Sequence, residues 1–138
     1  MNREQFQKLS RLRLREARVL LQRDHFEGAY YLLGYAIECA LKAAIAKQVH
    51  KYDFPDKKTV NDSYSHDLEK LLGVAGLRDN LEKDMKSSRA LSVNWAIAKD
   101  WSEEVRYRHA ISEKMARDFY SACTSRKHGV LSWLRSSW

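Results

Sequence analysis

Hydrophobic positions recur along most of the chain at the three- and four-residue spacing of an amphipathic α-helix. The apolar side of a first segment, about residues 3–22, consists of Phe6, Leu9, Ala17 and Leu20. The stripe of a second segment, about residues 26–47, consists of Phe26, Ala29, Tyr30, Leu33, Ile37, Ala40, Leu41 and Ala44. The opposite side of this second segment is also largely uncharged, which predicts the buried central helix of the fold. Asp24 precedes it and is its predicted N-cap.

The helical spacing breaks at residues 50–64, where Pro55 and several Asp, Asn and Ser residues predict a loop of about fifteen residues. Ser65 is then the predicted N-cap of a short helix over residues 66–73. Two modest helices are predicted over residues 77–88 and 91–99, and residues 100–110 have no clean period. Ser112 is the predicted cap of a final long helix that extends to Leu134.

These elements predict an all-α fold, an up-and-down helical bundle with three long helices and two or three short ones. The 138 residues include one Pro and five Gly, which argues against a turn-rich β fold, and we expect a single domain over residues 1–138. No run of about 18 consecutive apolar residues and no signal peptide is recognisable, so a cytoplasmic protein without membrane contact is expected. Cys39 and Cys123 are too few for a disulfide framework or a zinc cluster and are predicted to be buried, reduced thiols.

The chain is basic, with 25 Lys and Arg against 18 Asp and Glu and a net charge of +7, which favours partners that carry phosphate or acidic side chains. One flank of the first segment carries a row of cations, namely Lys8, Arg11, Arg15 and Arg18. Such a row is compatible with tracking a phosphate backbone. A solvated helix face is the favoured interpretation, because Glu4 lies four residues before Lys8 and can pair with it.

Charged and aromatic side chains also occur among the predicted apolar faces. Arg13 projects towards the apolar side of the first segment, and Glu38 is its nominated partner unless the guanidinium extends to the rim. Tyr31, Tyr35, Glu38 and Lys42 align on the second segment, where Glu38 and Lys42 can pair. The two tyrosines are compatible with a ligand pocket, a subunit interface or packing under the loop.

A candidate anion site combines several cationic positions near predicted helix starts. His66 lies in the first turn of a predicted helix, where it can hold an anion or simply cap the helix. Arginines and a stacking ring occur together at residues 106–109 (Arg-Tyr-Arg-His), an arrangement that suits nucleotides and single-stranded nucleic acid. The predicted phosphate-binding residues are Lys42, His66, Arg106, Tyr107 and Arg108. No zinc-type spacing, glycine-rich phosphate loop or nucleophile elbow occurs, so we expect no metal and no cofactor.

Three motifs together resemble the HEPN domain family. Residues 28–43 (Gly-Ala-Tyr-Tyr-Leu-Leu-Gly-Tyr-Ala-Ile-Glu-Cys-Ala-Leu-Lys-Ala) are similar to the family's second helix, with its Glu-x-x-Leu-Lys-Ala ending. Residues 65–72 (Ser-His-Asp-Leu-Glu-Lys-Leu-Leu) resemble its His-x-Leu-x-x-Leu helix start, and Arg106-Tyr107 resembles the Arg-Tyr before its last long helix. Order and spacing agree over about residues 7–134.

The resemblance implies a helical bundle that tends to form homodimers and is often paired with a small nucleotidyltransferase in toxin–antitoxin modules. It also singles out Lys42, His66, Arg106 and Tyr107. Catalytic HEPN members are metal-independent ribonucleases whose motif is Arg, four to six residues, then His, near the start of the last helix. Here only two residues separate Arg106 from His109. Arg18 and His25 have the right separation but lie at the end of the first helix.

The expected function is therefore a non-catalytic module that binds a nucleotide or RNA phosphate, with no catalytic residue assigned. Two alternatives remain: a ribonuclease toxin with a degenerate motif, and a protein-interaction domain whose basic face meets an acidic partner. Four Trp and seven Tyr are more large aromatic residues than we expect so short a chain to bury. This predicts a homodimer whose interface uses the second helix and residues 133–138.

Overall fold

A computed structural model describes residues 1–52, 54–107 and 110–138, and of His50, Lys51, Tyr52 and Arg106 it describes the backbone alone. The predicted all-α bundle is confirmed, with no strand in the described ranges. The helices are α1 (Arg3–Gln22), α2 (Phe26–Tyr52), α3 (Lys57–Asp62), α4 (Leu68–Val74), α5 (Arg78–Ser87), α6 (Arg89–Lys99), α7 (Glu113–Thr124) and α8 (Val130–Arg135). A 3₁₀ helix, Glu103–Tyr107, lies between α6 and α7.

The first two helices pack closely because small residues line their contact. Ser10 and Ala17 of α1 are buried against α2, and the Ser10 hydroxyl donates a 2.7 Å hydrogen bond to the Ala36 carbonyl oxygen. A methyl group added at Gly28 would lie 3.1 Å from Leu20 Cδ1, so the backbone of α2 comes close to α1 there. This contact turns the outer side of α1 to solvent.

The central position predicted for α2 is confirmed. Leu33, Ile37 and Leu41 are completely buried, and the alanines between them are equally enclosed. The segment Phe26–Val49 is long and apolar enough to cross a membrane, but 72% of its most apolar window is buried inside the chain. The central helix of a folded core is as long and as apolar as a membrane span. Length and composition are therefore only weak evidence that Phe26–Val49 crosses a membrane.

Two of the predicted N-caps are wrong. Asp24 has a left-handed backbone conformation with φ of 60°, and α2 begins after His25, whose carbonyl oxygen accepts from Ala29 N at 3.0 Å. The helix after the loop is capped by Asp67, whose carboxylate accepts from Lys70 N at 3.1 Å, so α4 begins at Leu68. The Ser65 hydroxyl accepts from Asp67 N instead, which positions the capping residue.

The predicted fifteen-residue loop and the predicted final helix both differ from the structure. The helix α2 extends to Tyr52, and Asp56 caps the short α3 by accepting from Thr59 N at 2.7 Å. The final helix is divided into α7 and α8 by a turn over residues 125–129, where Gly129 N donates to the Ser125 carbonyl oxygen at 2.9 Å. A Cβ at residue 129 would lie 2.4 Å from that oxygen, so the turn depends on glycine.

Most tryptophans find room in the interior, contrary to the expectation of an aromatic surplus. Trp95, Trp101 and Trp138 are all at least nine-tenths buried, and the half-buried Trp133 donates from Nε1 to Asp84 Oδ2 at 2.7 Å. Within residues 133–138, Leu134 and Trp138 are buried, whereas Arg135 and Ser136 are exposed. Tyr64 and Tyr107 are also largely exposed, and the homodimer stays a prediction.

The prediction of buried, reduced thiols is confirmed for burial, and neither thiol is in a disulfide. Burial raises the pKa of Cys39 to about 11, and the neighbouring Glu38 carboxylate contributes to the rise. Burial alone raises the pKa of Cys123. Because the thiolate is the reactive form, both sulfurs are expected to be unreactive while the chain is folded.

Candidate functional site

The candidate site is organised around Glu38, a carboxylate near the middle of α2 that is only 4% exposed. Its Oε2 lies 3.3 Å from Lys42 Nζ, one turn along the same helix. Its Oε1 lies 2.7 Å from Nδ1 of His66, which comes from the segment before α4. Two residues predicted from different parts of the sequence thus meet at one buried carboxylate.

The predicted ion pair between Arg13 and Glu38 does not form. The Arg13 guanidinium instead pairs with Glu16 on the outer part of α1 and remains one-third exposed. A partly solvated guanidinium avoids the cost of complete burial. The alternative of an arginine that extends to the helix rim is therefore the one found.

His66 joins the Glu38 carboxylate to the 3₁₀ helix. Its second ring nitrogen, Nε2, lies 3.3 Å from Glu103 Oε2, and both side chains are a little more than one-third exposed. A neutral imidazole has one N–H donor, so it can donate to only one of two ionised carboxylates, whereas an imidazolium donates to both. The contact of His66 with Glu38 is shorter and more buried than its contact with Glu103. Another anion can therefore replace Glu103 at His66 more easily than it can replace Glu38.

Aromatic rings wall one side of this cluster. The Tyr35 ring lies 6.0 Å from the His66 ring and 5.3 Å from Trp101, centroid to centroid, and also packs on Tyr31. Burial raises the pKa of the Tyr35 phenol, assisted by its hydrogen bond with Tyr31 and by the negative charges of two glutamates. Tyr35 thus packs directly on His66 and stays protonated there, with Tyr31 behind it.

Trp101 is a part of the site that the sequence did not indicate. It is 3% exposed, and its indole lies so close to Gly34 that a Cβ there would be 1.8 Å from Trp101 Cε2. The indole Nε1 has no hydrogen-bond partner among the described residues. The signal available in the sequence was a glycine inside a long helix, which costs about 1 kcal/mol relative to alanine and implies a close neighbour.

The remaining predicted residues lie on or beside the 3₁₀ helix. Tyr107, at its end, is 71% exposed. Arg106 belongs to the same element, but its side chain is outside the described part, as are both Arg108 and His109. The structure thus brings together Lys42, His66 and the start of the 3₁₀ helix, and places Tyr107 on the surface four residues beyond Glu103.

The cation row of α1 is a separate surface. All four of its members are exposed, and Lys8 forms the predicted ion pair with Glu4, at 3.0 Å. The Arg11 guanidinium lies 4.9 Å above the Trp138 ring. Within residues 1–52, 54–107 and 110–138, neither Arg15 nor Arg18 takes part in an ion pair.

Among the described residues, no group of three His, Cys, Asp or Glu side chains is arranged to hold a metal ion. In particular, Glu38 and Glu103 lie on opposite ring nitrogens of His66. No family model, curated protein or solved structure matches this chain.

Proposed function

We propose that the chain is a non-catalytic, HEPN-like module that binds the phosphate of a nucleotide or RNA through Lys42, His66 and residues 106–108. The observation that supports this proposal is the convergence on one buried carboxylate. Lys42 of α2 and His66 before α4 both contact Glu38, and the other ring nitrogen of His66 contacts Glu103 of the 3₁₀ helix, so three separate segments are joined through His66 and Glu38. Residues that recognise one ligand must be held close together in this way.

The two carboxylates determine where a phosphate would enter. Glu38 is buried and keeps its partners, whereas Glu103 is 38% exposed at its side chain and contacts His66 at the longer distance of 3.3 Å. An incoming phosphate replaces the Glu103 carboxylate at His66 Nε2, because both groups are anionic acceptors for the same donor. The sequence after Glu103 contributes two further cations, Arg106 and Arg108, and the exposed ring of Tyr107 offers a surface for a base.

No hydrolysis is proposed. Metal-independent cleavage of RNA needs a base and a charge-stabilising group in fixed geometry. The separation of Arg106 and His109 departs from the spacing that the HEPN resemblance associates with this activity. The resemblance alone supports the accompanying proposals of a cytoplasmic homodimer and a nucleotidyltransferase partner.

Binding of a labelled single-stranded RNA and of ATP, titrated at two salt concentrations, tests the proposal. The slope of log affinity against log salt is negative for such binding. We expect Arg106→Ala and Arg108→Ala each to weaken binding and to reduce the magnitude of this slope by about one. The matched control is Arg126→Ala, which removes an exposed arginine from the turn between α7 and α8. Its slope should stay closer to that of the unmodified chain.

Two results would contradict the proposal. If the unmodified chain binds neither probe, or if all three variants bind as it does, the phosphate site is wrong. If RNA is cleaved in the presence of a chelator and His109→Ala abolishes cleavage, the non-catalytic assignment is wrong, and the chain is a ribonuclease with unusual spacing.

A further inference from the structure

The outer side of α1 combines exposed apolar side chains with the cation row. Leu12 is 40% and Val19 is 56% exposed, and they lie two helical turns apart on nearly the same line of the helix. The cation row, Lys8, Arg11, Arg15 and Arg18, runs along one side of this line. A shallow groove on the N-terminal half of α1 is lined by Lys8, Leu9, Arg11, Leu12 and Arg15, together with Met1 and Gln5, whereas Arg18 and Val19 lie beyond it.

The fold uses Arg11 of this face, which packs on Trp138, but not its two exposed apolar residues. The buried residues of α1 are Ser10, Ala17 and Leu21, which lie on the opposite side, towards α2. Leu12 and Val19 therefore add nothing to the core contact of α1, and polar residues there would serve the fold equally well. Two exposed apolar residues are not by themselves a binding surface, so the charge beside them must decide what could cover them.

The charge of this face restricts what can cover it. Arg15 and Arg18 have no carboxylate partner in the described part of the chain, and the carboxylate beside Lys8 is on a largely solvated pair. A second copy of a chain with net charge +7 would bring one cation row against another, which opposes association. RNA would satisfy the arginines but would leave Leu12 and Val19 without an apolar neighbour.

We propose that the outer face of α1 binds an acidic amphipathic helix of a partner protein. Apolar side chains of that helix pack on Leu12 and Val19, and its Asp or Glu residues pair with Arg15 and Arg18. From Lys8 to Arg18 the row spans about 15 Å at 1.5 Å per residue, which matches roughly three turns of a bound helix. This surface is separate from the phosphate site, and the proposal does not depend on the proposed function.

Three synthetic peptides of roughly 18 residues test it, a length chosen because shorter helices are marginal in water. The first has a Leu stripe flanked by Glu, the second has the same stripe flanked by Lys, and the third replaces the Leu stripe with Ser but keeps Glu. Calorimetric titration should show that the first binds about tenfold tighter or more than either of the others. Its affinity should fall as salt rises.

Variants of the chain then locate the surface. Leu12→Ser/Val19→Ser should abolish the preference for the Leu stripe, and Arg15→Glu/Arg18→Glu should reverse the preference to the Lys-flanked peptide. The matched controls are Val93→Ser, an equally exposed apolar residue on α6, and Arg126→Glu/Lys127→Glu, which changes the charge by the same amount. Both controls should bind the first peptide as the unmodified chain does, and circular dichroism should show all variants folded.

Several outcomes would overturn the proposal. It is wrong if the three peptides bind equally or not at all, or if the control variants change peptide binding as much as the α1 variants do. It is also wrong if the α1 variants no longer bind labelled RNA, or no longer bind phosphatidylserine vesicles, while their binding of the peptides is unchanged. In those two cases the face is a nucleic-acid or a membrane surface, respectively.

Discussion

Glu38 is a charge held out of water, and its neighbours explain why the central helix tolerates it. An unpaired buried carboxylate is costly, whereas one that accepts from two donors is compensated. Lys42 and His66 supply those donors, at 3.3 and 2.7 Å. The same pairing fixes His66, and through His66 it fixes Glu103 at the start of the 3₁₀ helix.

We predict that Glu38→Ala lowers the free energy of unfolding by about 3 kcal/mol, because it leaves Lys42 without its partner in a largely buried place. Urea denaturation followed by circular dichroism measures the change. In Glu38→Ala/Lys42→Met, the stranded charge is removed as well, so the loss should be smaller than in the single variant. Glu4→Ala, which breaks a solvated pair, should leave the unfolding midpoint in place. A double variant less stable than Glu38→Ala would contradict this account.

The four cations of the α1 row are exposed, and they differ in the contacts that they make with the rest of the chain. Lys8, paired with Glu4, is 71% exposed at its side chain, so its contact contributes little to stability. Arg11 covers the face of Trp138, which is an apolar use of a charged side chain. Arg15 and Arg18 have neither kind of contact within the described residues, which is why they are the members of the row best suited to bind a partner.

At the scale of the helix, the packing of α2 depends on a position without a side chain. The Trp101 indole packs so close to the Gly34 backbone that no side chain fits there. Trp101 precedes the 3₁₀ helix by two residues, so its position also sets that of Glu103 and Tyr107. The glycine therefore links the core of α2 to the candidate phosphate site.

Replacing Gly34 by alanine should reduce stability although alanine is the better helix former by about 1 kcal/mol. A Cβ 1.8 Å from Trp101 Cε2 forces the indole to move, and overpacking of this kind costs about 1–3 kcal/mol. Urea denaturation and the tryptophan emission maximum report the change. Gly73→Ala, whose new Cβ would meet the movable end of Arg78, should not destabilise α4. If Gly34→Ala is as stable as the original chain, the close packing of Trp101 is wrong.

The positions of the helices and both ends of α1 could be predicted from the sequence, whereas several other helix ends could not. Hydrophobic spacing places α1, α2, α5 and α6 correctly, because a helix that buries one face must repeat every three to four residues. Ser65 and Asp67 are both good capping residues, and only the hydrogen bond from Lys70 N to Asp67 decides between them. The turn at residues 125–129 was missed because the apolar spacing continues across it.

The candidate site was predictable only in part, for a related reason. Lys42 and His66 were identified because charge within an apolar helix and a histidine at a helix start are local signals. The pair of Glu38 with Lys42 is local as well, and its prediction is confirmed. The contacts of His66 with Glu38 and Glu103 and the packing of Trp101 on Gly34 join residues far apart in the chain. Contacts of that kind depend on how the helices are arranged, which no local pattern specifies.

At the scale of the whole molecule, charge and burial restrict how two copies can associate. Within residues 133–138 the apolar Leu134 and Trp138 are buried, and the exposed residues, Arg135 and Ser136, are polar. The cation row makes α1 a poor surface for a second copy. The half-buried residues of α2, among them Tyr31 and Leu32, remain as the predicted interface of the proposed homodimer.

Light scattering at the chain concentration of the binding titrations should therefore give twice the 16.2 kDa mass of one chain. Leu32→Glu should shift the mass towards that of one chain, because a carboxylate buried at an apolar interface lacks a partner. Arg15→Glu/Arg18→Glu should leave the mass unchanged, since the proposed dimer does not use α1. A mass of 16.2 kDa for the unmodified chain would rule out the homodimer without affecting either binding surface. A loss of the dimer in the α1 variant would instead place a second copy on α1 and contradict the proposed acidic partner.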